Sequence, residues 1–167
     1  SSIATKEVAA SMTEVQKSLN ISTGQASMFY KQMMLSDGAS AETAKNTLLL
    51  GKNLADASGV NFQNVMADVE KSGKNFQNYF GKSTKDMLKA AVAARKMGFE
   101  LEDMVNLSKG LMDVEGRIEK QYKVNALLGK EINLDKATAL IMNGKEEKAM
   151  EEVKKQIGDT SDLRGFE

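Results

Sequence analysis

Glu100, Glu102 and Asp103 stand together, Glu115 and Glu119 lie four residues apart, and no other side chains here are better placed to do chemistry. Clustered carboxylates could hold a divalent cation, or divide the roles of general acid and base between them. The first trio falls where a helix is expected to begin, however, and carboxylates are favoured there because they complement the positive end of the helix dipole. Glu115 and Glu119 share one helix face, as in half of a two-iron bundle site. Such a site takes His at Glu-x-x-His spacing, and the sequence contains no His. Glu115 with Arg117 and Glu119 with Lys123 are expected instead to lace a solvated or interhelical face.

Four Gly-Lys pairs, Gly51-Lys52, Gly81-Lys82, Gly129-Lys130 and Gly144-Lys145, invite comparison with a phosphate-binding loop. None stands in a Gly-x-x-x-x-Gly-Lys-Ser/Thr pattern, and no expected strand precedes any of them. They read as helix terminators with a Lys near the negative carbonyl end. The absence of Cys removes any thiolate nucleophile or ligand. The expectation is a protein that is not an enzyme, with no catalytic, cofactor-binding or metal-binding residues and no cofactor.

Composition limits the partners as well. Lys plus Arg equals Asp plus Glu at 23 each, and only Arg95, Arg117 and Arg164 are Arg. Nucleic-acid binders favour a basic excess with Arg for forked phosphate and base contacts, so specific nucleic-acid binding is not expected. No apolar run approaches the ~18 residues of a membrane span. The first residue is Ser, which suggests a piece of a longer chain, and any membrane contact would then come through the longer parent.

The sequence has no Pro, where ordinary usage of ~5% would supply about eight, and it is rich in Ala, Leu, Lys, Glu and Met. Loss of the strongest helix breaker points to an all-α fold, a Gly-punctuated multi-helix bundle. Taking each Gly as a stop gives a consistent parse. Val8, Met12, Val15 and Leu19 form the stripe of a first helix. Ser22 and Gln25 make a capping box before a second helix, and Ser40 and Asn61 cap the third and fourth. Gly73 and Gly81 bracket a short aromatic turn containing Phe76, Tyr79 and Phe80. Ser83 and Asp86 open a fifth helix. One long helix is then expected near 101–128, with Met104, Leu107, Leu111, Val114, Ile118, Tyr122 and Leu128 at three- and four-residue spacing. Two short helices follow, within 135–157. Met33, Met34, Met87, Met97, Met104, Met112, Met142 and Met150 could line an adaptable groove, but many share the stripes of Leu and Val and are expected in the core.

The expected organisation is an N-terminal helical cluster over 1–74, a C-terminal cluster with the long spine helix over 75–158, and a polar tail over 159–167. The alternative is one single domain. Met104, Leu107, Leu111, Val114, Ile118 and Tyr122 are the residues expected to serve helix packing or self-association.

Residues 59–158 carry a resemblance. Ala90-Ala91-Val92-Ala93-Ala94-Arg95-Lys96-Met97-Gly98 followed by Leu101-Glu102, then Leu111-Met112-Asp113-Val114-Glu115 with Arg117-Ile118-Glu119, then Leu127-Leu128-Gly129-Lys130-Glu131-Ile132-Asn133-Leu134-Asp135-Lys136-Ala137, occur in an order and spacing similar to the helical region of tail tape measure proteins of tailed bacteriophages. Asn143-Gly144 and Gln156-Ile157-Gly158 close the two short helices as they do there. The resemblance implies a structural virion component, made in the bacterial host cytoplasm and located in the tail tube or tail tip. It implies a role in tail length determination, tail assembly and genome ejection. The implied partners are other tail proteins (tube, hub or baseplate) together with self-association. The alternative is a non-enzymatic helical adaptor that binds partner peptides.

Overall fold

Local caps decide where the helices begin. In a computed structural model, which describes residues 2–129 and 131–158, Ser22 Oγ accepts from Gln25 N at 3.0 Å and Ser22 N donates to Gln25 Oε1 at 3.1 Å. That reciprocal box satisfies two backbone donors left orphaned by the first helical turn. Ser40 accepts from Thr43 N at 3.1 Å, and Asn61 accepts from Gln63 N at 2.9 Å. The resulting order is α1 (Ser2–Leu19), α2 (Thr23–Lys31), a π-helical turn (Gln32–Ser36), α3 (Ala41–Ala57), α4 (Phe62–Phe80), α5 (Thr84–Lys96), α6 (Leu101–Met112), α7 (Val114–Leu128), α8 (Asp135–Met142) and α9 (Glu146–Ile157). The fold is all-α, with no strand among the described residues.

Two compact units divide between Val92 and Ala93, within α5. The expected boundary between residues 74 and 75 falls instead inside α4, which runs unbroken from Phe62 to Phe80. Gly73 is buried there with the Met87 side chain against it, so the aromatic segment 76–80 is the last part of a helix rather than a separate turn. Phe76 is buried, and its ring lies 4.7 Å from that of Phe80. The expected polar tail 159–167 lies outside the described residues.

In the first unit α1 and α4 both pack on α2 and α3. Val15, Leu19, Phe29, Leu48, Val65 and Met66 close its core. Each such side chain removed from water contributes about 1.5–3 kcal/mol. Gly51 keeps α3 close to its neighbours: a Cβ there would lie 2.6 Å from Leu88 Cδ2 and 3.2 Å from Phe62 Cε1. Gly51 and Gly73 therefore correct the rule that every glycine stops a helix. Gly81 and Gly129 follow it, each taking a left-handed conformation after a helix end.

In the second unit α6 packs against α7, α8 and α9, and α8 packs on α9. Phe99, Leu101, Met104, Leu107, Met150 and Val153 are buried in its core. The single helix expected near 101–128 is two helices. Asp113 ends α6 with φ −82° and ψ 98°, outside helical geometry, and starts α7 by accepting from Gly116 N at 3.2 Å. No Pro is needed for this break, because a side chain that competes with the backbone for its own donors can end one helix and cap the next.

Candidate interaction site

The break at Asp113 splits the apolar stripe expected to do the packing. Met104, Leu107 and Leu111 lie on α6 and are buried. Val114, Ile118 and Tyr122 lie on α7 and are 59%, 52% and 73% exposed. They are four residues apart, so they form one column along α7. The six residues are therefore not one surface: three close the core of the second unit, and three leave an apolar face uncovered. The side chain of Leu128 lies outside the described residues.

Polar side chains hold α7 in place from behind. Arg117 Nη1 donates to Thr138 Oγ1 at 2.8 Å and to Leu111 O at 3.3 Å, which ties α7 to α8 and satisfies a carbonyl at the end of α6. Gln121 Nε2 donates to Ile132 O at 2.7 Å, and Ile132 N donates to Asn125 Oδ1 at 3.0 Å. Two α7 side chains thus satisfy both backbone groups of one residue in the α7–α8 connection, which buries Ile132. The expected pairing of Glu115 with Arg117 gives way to this arrangement. The pairing of Glu119 with Lys123 is present at 3.2 Å between two exposed side chains.

A groove of about 540 Å³ opens beside this face, lined by Ile118, Gln121, Tyr122, Asn125, Glu131, Ile132, Asn133 and Asp135. Its side chains offer apolar surface, amides and two carboxylates. The connection behind it is fixed by a further pair of bonds: Asn133 N donates to Gln156 Oε1 at 2.7 Å, and Gln156 Nε2 donates to Asn133 O at 2.6 Å. Gln156 Nε2 also donates to Glu152 Oε1, and Lys136 lies 3.4 Å from the same carboxylate. The Gln156 amide first, and then the Lys136 ammonium, hold the Glu152 carboxyl below its ordinary pKa against the opposing effect of burial.

The carboxylates considered for chemistry have structural places. Glu100 caps α6 in a box with Asp103, whose Oδ2 accepts from Glu100 N at 2.8 Å. No group of three or more His, Cys, Asp or Glu is arranged to hold a metal ion among the described residues. Of the methionines, Met33, Met87, Met97, Met104 and Met150 are buried, while Met112 and Met142 are exposed on the second unit. What the stripe alone could not reveal is which of its residues meet a neighbour. The Asp113–Gly116 spacing, a capping residue three before a glycine, was the available signal.

No protein-family model matches this chain, and no match was found among curated proteins or among solved structures.

Proposed function

We propose that this chain is a compact structural module of a tape measure protein from a tailed bacteriophage, acting in assembly through the apolar face of α7 and without catalysis. The observation that carries the assembly role is the column of Val114, Ile118 and Tyr122, exposed on a helix otherwise anchored by Arg117, Gln121 and Asn125. Exposed apolar residues grouped on one face mark interaction surfaces more often than singly scattered ones do. The virion role rests on the segments between Ala90 and Ala137 that resemble the tape measure region. The partners proposed are further copies of the chain and the tube, hub or baseplate proteins of the tail. The proposed locations are the tail tube or tail tip.

An in-frame deletion of residues 101–158 from the parent gene tests this. The expected result is unchanged tail length with failed tail assembly or failed infection, since α6 to α9 fold on one another. Tails shortened by about 1.5 Å per removed residue would make the segment an extended helical ruler instead of a compact module. Normal infectious particles, or a parent gene outside any phage, would end the tail reading.

A helical adaptor is the alternative, favoured by the groove between Ile118, Tyr122 and Ile132 and by exposed Met112 and Met142. A monomer that binds peptides in that groove supports the adaptor. A trimer or larger ring supports the tail component.

A further inference from the structure

The first unit carries a second surface of different chemistry, on the π-helical turn and the end of α4. A groove of about 510 Å³ is lined there by Met28, Lys31, Leu35, Lys74 and Lys82 together with Gln32 and Gln77, and no Asp or Glu lines it. The π turn closes i→i+5 hydrogen bonds in place of the i→i+4 bonds of an α-helix, and such turns are frequent at functional sites. Here it leaves Met33 buried and Leu35 74% exposed.

The floor is fixed by hydrogen bonds. Gln32 Nε2 donates to Gln77 Oε1, and Gln77 Nε2 donates to Lys82 O at 3.2 Å and to Thr84 Oγ1 at 3.3 Å. The nearby carboxylate of Asp37 accepts from Thr84 N at 3.3 Å, which accounts for its position outside the groove. What remains toward solvent is an apolar knob, Leu35 with Met28 beside it, between lysines from two different helices and the loop after α4.

We infer that this groove docks an acidic amphipathic helix of a protein partner, its apolar residues against Leu35 and Met28 and its carboxylates toward Lys31 and Lys74. Charge complementarity selects the occupant. The charged side chains that line the groove are all cationic, so an acidic helix complements them and a basic one is repelled. The apolar anchor favours a helix over a free phosphate or a nucleic-acid backbone, which would leave Leu35 in water. The inference does not rest on the tail assignment or on α7, because it concerns the first unit alone.

The probe is a fluorescein-labelled synthetic helix with Leu at three- and four-residue spacing and Glu elsewhere, and a control carries Lys for every Glu. Anisotropy titrations at low salt are expected to detect binding of the Glu peptide at least about tenfold tighter than the Lys peptide, and affinity should fall as screening rises. The double variant Lys31→Glu with Lys74→Glu and the separate variant Leu35→Ser should each weaken binding at least about tenfold, a loss typical of an anchoring position. All three positions are exposed, and unchanged circular dichroism would establish that each variant is folded. Amide shifts should move in residues 28–36 and 74–82 while residues 114–122 stay still. Any of four results would overturn the inference: no binding at low salt, equal binding of the two peptides, variants that bind as the parent does, or tighter binding of duplex DNA or anionic vesicles than of the Glu peptide. Such a failure would leave the α7 assignment standing, because that face is not probed by these variants.

Discussion

Gly51 and Gly73 are alike in sequence, each in the interior of a helix, but different atoms surround them. A Cβ on Gly51 meets Leu88 Cδ2 and Cγ and Phe62 Cε1, and both of those side chains are buried. A Cβ on Gly73 meets the Met87 thioether at 3.2 Å, and a thioether repacks easily. Replacing a mid-helix Gly by Ala gains about 1 kcal/mol of helix propensity, while overpacking a filled core costs about 1–3 kcal/mol. Gly51→Ala is therefore expected to lower stability, and Gly73→Ala to leave it unchanged or raise it by up to about 1 kcal/mol. Urea midpoints of the two variants give the signs directly.

Tyr30 is a second residue whose surroundings decide its behaviour. Burial pushes its hydroxyl pKa above the ordinary value, against the hydrogen bond to Ser11 Oγ at 2.5 Å and the nearby Lys45 ammonium, with Glu14 and Glu42 adding a smaller upward push. Burial alone would lower Lys45, but Glu14 and Glu42, 3.7 Å and 3.4 Å away, outweigh it and raise its pKa. Both groups keep their protons longer folded than unfolded. Their contributions are thus complete below the ordinary values of 10.0 and 10.5 and are lost as pH rises through the higher folded-state values. Unfolding midpoints should fall on the alkaline side of pH 10, and Tyr30→Phe should flatten part of that fall. An unchanged alkaline limb in the Phe variant would contradict the role given to Tyr30.

At the scale of elements, the caps were plain in the sequence, and the break was marked only by the weak spacing of Asp113 and Gly116. Ser22 with Gln25, Ser40 and Asn61 each announce a helix start through chemistry local to three or four residues, and all three bonds are present. Met112-Asp113-Val114 holds nothing a helix forbids, and the spacing of Met104, Leu107, Leu111, Val114, Ile118 and Tyr122 runs straight through it. Periodicity tells which residues share a face but not whether a neighbour covers that face. The break depends on the Asp113 carboxylate occupying the space where a Cβ of residue 116 would be, since a Cβ on Gly116 would clash directly with it. Asp113→Ala should therefore lower stability by about 0.5–2 kcal/mol, the usual loss with a helix cap, as read by thermal melts. The two halves of the stripe should also separate. Leu111→Asp buries an unpaired charge and should unfold the second unit, whereas Ile118→Asp should keep helicity and stability within about 0.5 kcal/mol. Equal damage from both would mean that α7 is packed as α6 is.

For the whole molecule, the all-α class followed from the missing Pro and the helix-forming composition, and the division between Val92 and Ala93 did not. No composition change marks that point, because α5 runs across it with buried small residues on both sides, Ala90, Ala91 and Ala94 among them. Which unit a helix joins depends on contacts distant in sequence, and those leave no local trace. No described helix is long and apolar enough to cross a membrane. The α7 groove and the lysine-lined groove differ in chemistry, one joining apolar side chains to amides and carboxylates, the other cationic around Leu35 and Met28.

The most direct test of the central claim, that α7 presents an assembly face, is sedimentation velocity of the chain over a wide concentration range beside Ile118→Asp with Tyr122→Asp. The expected result is concentration-dependent association of the parent chain and a monomer for the double variant, with identical circular dichroism. A parent chain that stays monomeric throughout, or a folded double variant that associates equally well, would contradict it.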